Sequence, residues 1–263
     1  MLTATPRSRE QIPRVAVLVS CYNEAGRVVP VIEATHKALP LASIIVIDDG
    51  STDASHREAI SAGVTVLRHA CNLGAGAASE TGYLYALRNK YDVVLQLDGD
   101  GQHPADRLPD LLQTLIAREA DIVIGSRYLR PGDSDGTPVL RWIGHRVFST
   151  IVRLVGGIRV TDPTSGFRAL SRKALLLFSD GVFPCDYPDS DVILMSHMSG
   201  LRIHEIPVRM KERVGGTSMH AGIRPLYYGF KMLLSMFMVI LNFRRWGRWR
   251  QSAVHRQLLA HGG

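Results

Sequence analysis

The chain is poor in cysteine, lacks any long run of apolar residues, and carries no acidic residue in its last twenty positions. Its three cysteines, Cys21, Cys71 and Cys185, form no pair at metal-ligand spacing and leave an odd thiol. That excludes a disulfide scaffold and a structural zinc site, and it points to a reducing compartment. The first fourteen residues are polar and contain nothing of signal-peptide length, so secretion through a cleaved signal is not expected. The most apolar stretch, Met232 to Leu241, is shorter than the roughly 20 residues a helix needs to span a bilayer, so a single crossing is disfavoured. A hydrophobic share of 46% in 263 residues excludes disordered, collagen-like and coiled-coil classes and leaves a globular chain with a sizeable core.

What is present is an alternation of two patterns. Short runs rich in Val and Ile, at 15–20, 43–47, 64–68, 92–97 and 121–125, are of strand length and lack strict alternation, as strands covered on both faces do. Helix-length segments at 27–39, 52–62, 75–89 and 108–119 lie between them. Strand-helix alternation predicts an α/β fold, a Rossmann-like and mostly parallel sheet flanked by helices. In such sheets ligands bind beyond the carboxyl ends of the strands. Polar residues gather there: Ser20 to Glu24 after the first strand, Asp48 to Asp53 after the second, Asn72 to Gly76 after the third, Asp98 to His103 after the fourth, and Ser126-Arg127 after the fifth. Any one of these is an ordinary turn; five on one rim predict a binding site.

Asp98 and Asp100 flank a glycine at the end of a buried strand, where isolated anions are costly and a cation is the natural partner. Two carboxylates on one turn are hard oxygen donors suited to Mg²⁺ or Mn²⁺, which also hold phosphate oxygens, so a nucleoside diphosphate is the expected ligand. Asp106 is the better candidate to cap the helix that starts at Leu108. Gly74 and Gly76 do not make a dinucleotide-binding loop, since the third glycine is missing and the stretch follows the third strand; close helix packing is their expected use. His103, His145, His204 and His220 show no ligand spacing and are read as non-ligands.

Taken together, Ser-x-Tyr-Asn-Glu, Val-Ile-Asp-Asp-Gly-Ser-Thr-Asp, Leu-Asp-Gly-Asp-Gly-Gln-His-Pro, Gly-Ser-Arg and Thr-Ser-Gly-Phe-Arg, in that order from about Val15 to Ser218, resemble family 2 glycosyltransferases of the GT-A fold. Within that family they are similar to the dolichol-phosphate mannosyltransferase-like branch. The resemblance implies that Ser20, Tyr22 and Glu24 line the nucleotide pocket, with Tyr22 against the base and Asp49 accepting from it. It implies that Asp98 and Asp100 hold the metal and diphosphate with Gln102 beside them, Asp98 nearer the sugar and Asp100 on the ion. Arg127 resembles the family arginine near the diphosphate and acceptor phosphate, where a planar fork of donors suits paired oxygens. Ser165 and Arg168 of the Thr164–Arg168 run resemble a strand edging the acceptor side, and Arg213 lies in a glycine-containing segment, Arg213 to Ser218, that resembles a mobile basic loop able to close on phosphate.

The reaction implied is inverting sugar transfer from a nucleotide-diphosphate sugar, in which cations stabilise the departing diphosphate. Polyprenyl phosphate is an acceptor that needs no base; a cell-envelope hydroxyl acceptor does need one, and Asp189 or Asp191 is then the candidate. A sugar nucleotidyltransferase is a weaker alternative, because Ser-Cys-Tyr-Asn-Glu is not the basic glycine-rich loop that chemistry uses. The base and sugar of the donor are left open.

The formal net charge is +7, and five of the excess charges, Arg244, Arg245, Arg248, Arg250 and Arg256, lie in the last twenty residues. They follow an apolar segment, Leu226 to Phe243, in which Arg224, Lys231, Ser235, Asn242 and Arg245 form one stripe on a helical wheel. A helix of that kind packs into the protein or lies in a membrane interface with its polar stripe up. Trp246 and Trp249 among arginines favour the headgroup level of an anionic membrane over nucleic acid. The expected organisation is a flexible segment at 1–14, a GT-A domain at 15–223, an interfacial helix with a basic-aromatic end at 224–250, and a tail at 251–263. The expected location is the cytoplasmic face of the membrane, peripherally attached, with a separate membrane protein as a further possible partner and no nucleic acid.

Overall fold

The computed structural model describes residues 13–130, 139–181, 183–184, 188–211 and 224–251. Strands β1 (Val15–Cys21), β2 (Ser43–Asp48), β3 (Thr65–Arg68), β4 (Val93–Asp98) and β5 (Ile122–Ser126) alternate with helices α1 (Val28–Ala38), α2 (Ser55–Ser61), α3 (Ala75–Arg88) and α4 (Leu108–Ala117). The later elements are α5 (Val139–Gly156), β6 (Arg168–Ser171), α6 (Arg172–Phe178), α7 (Ser190–Met198), β7 (Ile203–Pro207), α8 (Arg224–Leu241) and α9 (Phe243–Gln251). The five strands read from the Val/Ile runs therefore exist at the expected places, to within a residue or two.

The sheet runs β3-β2-β1-β4-β6-β5-β7, with β6 antiparallel to both of its neighbours and every other pairing parallel. Consecutive residues of β1 and β4 go to opposite faces: Val17, Val19, Leu95 and Leu97 meet α1, α2 and α4, while Ala16, Leu18 and Val94 meet α3 and α5 to α9. That two-sided burial is why the strand runs are continuously apolar. The strand order reverses between β1 and β4, which opens a crevice at their carboxyl ends, and the register sets Ser20 level with both Ile47 and Asp98.

Glycine marks where layers touch. A Cβ on Gly82 of α3 would stand 2.7 Å from Leu18 and 3.2 Å from Ile47, so α3 packs closely on β1 and β2 there, and Gly76 of the same helix is also buried. Gly74 instead adopts φ 100° at the start of α3, a backbone region that residues with a Cβ avoid. Asp106 does not cap α4: it lies inside a 3₁₀ turn, Ala105–Arg107, and α4 begins without any side-chain cap.

The core does not stop at residue 223. Met232, Met236 and Val239 of α8 and Trp246 of α9 join the cluster built on α7, and the Trp246 indole N–H donates to the Val239 carbonyl at 2.9 Å, where α8 ends. Trp246, expected at a headgroup layer, is thus a core residue, because its ring is buried with the α8 side chains and its one donor meets a carbonyl in the last turn of α8. The polar stripe is not turned to solvent throughout: Ser235 donates to the buried carboxylate of Asp191. The opposite side of α8 is apolar and exposed, with Phe230, Leu233, Leu234, Phe237, Met238 and Leu241 at 46–65% accessibility, followed by exposed Phe243, Arg244 and Arg248. Among the described residues, no helix is long and apolar enough to cross a membrane.

Gly125 in β5 tests this packing: its Cβ would lie 2.5 Å from the Phe167 ring and 3.1 Å from Val208. Gly125→Ala should lower stability by about 1–3 kcal/mol through overpacking. Gly144→Ala, in α5 with nothing within 4 Å of the new methyl, should be neutral or stabilise by up to about 1 kcal/mol. Urea midpoints of the two variants, compared with the unmodified chain, measure the difference.

Candidate active site

The carboxyl ends of β1 to β5 share one edge of the sheet, and the turns there are pinned to one another. The Asp49 and Gly99 amides donate to the Cys21 and Ser20 carbonyls at 2.9 and 2.8 Å. Gly50 has φ +72°, and a Cβ there would strike the Cys71 backbone at 2.4 Å, so only glycine lets the 71–74 segment cross the turn after β2. Asn23 adopts φ 55° and accepts from the Thr52 amide at 2.9 Å, while the Glu24 amide donates to Ser55 Oγ at 2.7 Å. Tyr22 is 43% exposed beside this joint and Ser20 is half-buried. Glu24 is buried and ion-paired to Arg27, so it anchors the turn that carries Tyr22.

Asp49, expected to accept from the base, has most of its capacity taken within the protein. Its Oδ1 accepts from the Leu73 amide at 2.9 Å and faces His69 Nδ1 at 2.8 Å, and its Oδ2 accepts from the Gly74 amide at 2.9 Å. A carboxylate has about four lone-pair positions, so one remains for a ligand. His69 in turn meets Thr81 Oγ1 at 2.9 Å, which ties the loop to α3.

Asp98 and Asp100 leave β4 at the reversal point. The Asp98 carboxylate is 48% exposed, and Asp100 Oδ1 accepts from the Gln102 amide at 3.0 Å. Gln102 itself accepts from the Lys211 amide at 2.8 Å, which brings the chain after β7 to this turn. Among the described residues, no three His, Cys, Asp or Glu side chains gather as a closed metal site. Two accessible carboxylates on one turn are the donor set of a hard cation that takes its other ligands from substrate phosphates and water, so Mg²⁺ or Mn²⁺ fits these residues. His103 lies directly beneath. Its Nδ1 accepts the Asp98 amide at 2.9 Å, its ring packs 5.3 Å from Phe167, and burial pushes its pKa down to about 4.

At the end of β5 the Arg127 guanidinium grips Asp162, Nε to Oδ2 at 2.7 Å and Nη2 to Oδ1 at 2.8 Å, with Nη2 also reaching Thr164 Oγ1 at 3.0 Å. Burial works against both charges; the paired hydrogen bonds outweigh it, raising the Arg127 pKa and lowering that of Asp162. Asp162 is fully buried and is fixed from behind by Glu205, whose carboxylate accepts from the Asp162 and Thr161 amides at 2.9 and 2.8 Å. His145 packs face to face on Tyr128 at 3.7 Å and hydrogen-bonds the Thr161 carbonyl. Asp162 and His103 were not read as site residues from the sequence. Asp162 stands two positions before Thr164-Ser165-Gly166-Phe167-Arg168, and a carboxylate beside a run that supplies arginine partners is the signal that could have found it.

Two expected acceptor-side residues are inside the protein. Ser165 is 2% exposed and its hydroxyl donates to the Gly125 carbonyl at 2.7 Å. Arg168 is 3% exposed and donates to the carbonyls of Ser165, Pro188 and Pro163 at 2.6, 3.2 and 3.3 Å. In this structure both side chains are buried and donate to backbone carbonyls, which holds the loop before β6. The strand that follows this run, β6, lies between β4 and β5. Asp189 sits at the start of α7, partly buried and in the electrostatic field of Arg127. Asp191 is fully buried, accepts from the Asp189 and Val192 amides at 3.1 and 2.8 Å and from Ser235, and burial raises its pKa to about 6. Arg213 and its loop, with Cys185 to Tyr187, lie outside the described residues.

Comparison with known proteins matches this arrangement. The family model described as Glycosyl transferase family 2 covers residues 16–177, more than half of the chain. Undecaprenyl-phosphate mannosyltransferase of Micrococcus luteus is 30% identical over 247 residues, 90% of this chain and 96% of that protein. Polyprenol monophosphomannose synthase of Mycolicibacterium smegmatis is 30% identical over 227 residues, 82% and 84% of the two chains. In fold, glucosyl-3-phosphoglycerate synthase from Mycobacterium tuberculosis, solved with Mn²⁺, uridine-diphosphate-glucose and phosphoglyceric acid, aligns at a TM-score of 0.66 and 20% identity over 87% of this chain and 80% of that one. The chain belongs to glycosyltransferase family 2, an enzyme of the GT-A fold.

Proposed function

We propose that this enzyme transfers a sugar from a nucleoside-diphosphate sugar to polyprenyl phosphate at an anionic membrane surface, on its cytoplasmic side. The observation that carries the acceptor is the withdrawal of Asp191. Of the two candidate bases it is fully buried, with its carboxylate bonded to Ser235 and to two backbone amides. Asp189, the other, lies in the field of the Arg127 cation, a charge that suits a site receiving phosphate. A lipid phosphate is already anionic and attacks without a base, and the near full-length similarity to two polyprenyl-phosphate-type mannosyl enzymes supports the same class.

In this reading Tyr22 and the remaining acceptor position of Asp49 face the base, and Asp98 and Asp100 hold Mg²⁺ or Mn²⁺. The ion, when bound, supplies positive charge to the departing diphosphate. Arg127 adds a fixed cation whose orientation Asp162, Thr164 and Glu205 set before substrate arrives, so little reorganisation is needed as charge develops. Its Nη1 makes no hydrogen bond to the described residues and is the guanidinium edge left for phosphate oxygen. The membrane side is the exposed apolar face of α8, Phe230 to Leu241, continued by Arg244 and Arg248. Each arginine near an anionic leaflet contributes about 1 kcal/mol, which salt screens.

Two outcomes are expected. With Mn²⁺ and a panel of UDP- and GDP-sugars, the chain should glycosylate a polyprenyl phosphate; Asp100→Ala should cut that rate about 10²-fold or more, and Asp189→Asn less than tenfold, whereas a required base would cost about 10²–10⁴-fold. Radiolabelled product recovered in the organic phase measures both, and a product formed only on a hydroxyl acceptor would sink the lipid-phosphate reading. Flotation with phosphatidylglycerol vesicles should fall with rising salt and drop roughly tenfold or more in Phe237→Ser, since burying an exposed phenylalanine contributes about 1.5–3 kcal/mol. Unchanged flotation in that variant would remove α8 as the contact.

A further inference from the structure

We propose that His103 is a positioning residue that sets the aim of the Asp98 carboxylate, and that through it the Thr164–Arg168 segment tunes how Asp98 and Asp100 take a divalent cation. The inference rests on the metal reading above and goes beyond it, because it assigns a role to a side chain that is no ligand. His103 Nδ1 accepts the Asp98 amide at 2.9 Å, so that nitrogen carries no proton and the ring proton is on Nε2. Nε2 then faces Asp98 Oδ2 at 3.7 Å, an electrostatic approach just beyond hydrogen-bond range. One ring thus constrains both the main chain and the side chain of the same aspartate, five residues upstream.

The ring has no freedom of its own. Its side chain is 8% exposed and packs against Phe167, which is fully buried. Phe167 is held by the Gly125 contact and by its amide on Ser165 Oγ at 3.3 Å, and its carbonyl accepts the Gly125 amide at 2.8 Å. Gly166 lies beside the seat: a Cβ there would stand 3.7 Å from His103 Cε1 and 3.8 Å from Asp98 Oδ2, ordinary contact distances. The groups facing the ring are therefore Asp98 and Asp100 from its own turn, Arg127 with Asp162 from the β5 side, and Phe167. A partner that fixes a metal-binding carboxylate typically changes metal affinity about 10–100-fold when removed.

The test titrates the full chain with Mn²⁺ alone, with Mn²⁺ plus UDP and with Mn²⁺ plus GDP, following free Mn²⁺ by electron paramagnetic resonance. His103→Ala should weaken Mn²⁺ binding about 10–100-fold. His103→Asn, whose side-chain carbonyl can stand at the Nδ1 position and accept the Asp98 amide, should recover part of that loss and keeps the inference testable if the alanine variant does not fold. In turnover, the loss should appear as a higher Mn²⁺ half-saturation, with kcat at saturating Mn²⁺ within a few-fold of the unmodified chain. Equal Mn²⁺ affinity in the folded variants, or a fall in kcat with Mn²⁺ half-saturation unchanged, overturns the role of His103. Absence of Mn²⁺ uptake by the unmodified chain under all three conditions overturns the metal reading itself.

Discussion

Everything at the rim depends on one strand running the wrong way. β6 enters between β4 and β5 antiparallel to both, pairing Gln96 and Ile124 with Arg168. An antiparallel strand starts at the edge where its neighbours end, so the residues just before it, Thr164 to Phe167, arrive at the carboxyl ends of β4 and β5. They become a wall between the Asp98 turn and Arg127. The ladder hydrogen bonds fix this placement, and Gly125 makes it possible by leaving space for the Phe167 ring.

The site that results separates groups for ligands from groups that aim them. Asp98 and Tyr22 are close to half exposed, while Asp162, Ser165 and Arg168 are buried and bonded within the protein. A buried ion pair is weak evidence for stability, because desolvation consumes much of its attraction. The Arg127–Asp162 pair is better understood as preorganisation: a cation kept charged and pointed, with the Thr164 hydroxyl donating to the Asp162 carboxylate and Glu205 accepting from the Asp162 main-chain amide. The Asp49 turn follows the same logic on the donor side, where one carboxylate collects the Leu73 and Gly74 amides and closes the loop before α3.

The C-terminal helices join two environments. Met232, Met236 and Val239 of α8 face α7, and Phe230, Leu233, Leu234, Phe237 and Leu241 face outward. α8 is therefore apolar both toward the core and on its outward side. Ser235, the polar residue on the inward side, is matched by Asp191 at the amino end of α7, a few residues from Asp189 and the Arg127 field. The exposed apolar face of α8 and the Asp189 end of α7 are thus joined through the Ser235–Asp191 hydrogen bond.

Strand-length Val/Ile runs, helix-length spacers and turn residues at five strand ends were enough to read a two-sided parallel sheet and the Asp98–Asp100 turn, because burial on both faces and local turn chemistry are properties of neighbouring residues. The roles of Ser165, Arg168, Asp191 and Trp246 were not legible in the same way. Each is a polar or amphipathic side chain whose partner lies far along the chain, and sequence shows only the donor or acceptor, never whether water or protein answers it. Arg168 ends on Pro188, Asp191 on Ser235 and His103 on Phe167, pairs separated by 20, 44 and 64 positions along the chain. The sequence by itself determined which residues could bind phosphate or metal. The tertiary structure decided which of them remain accessible to do so, since burial is set by packing between distant segments.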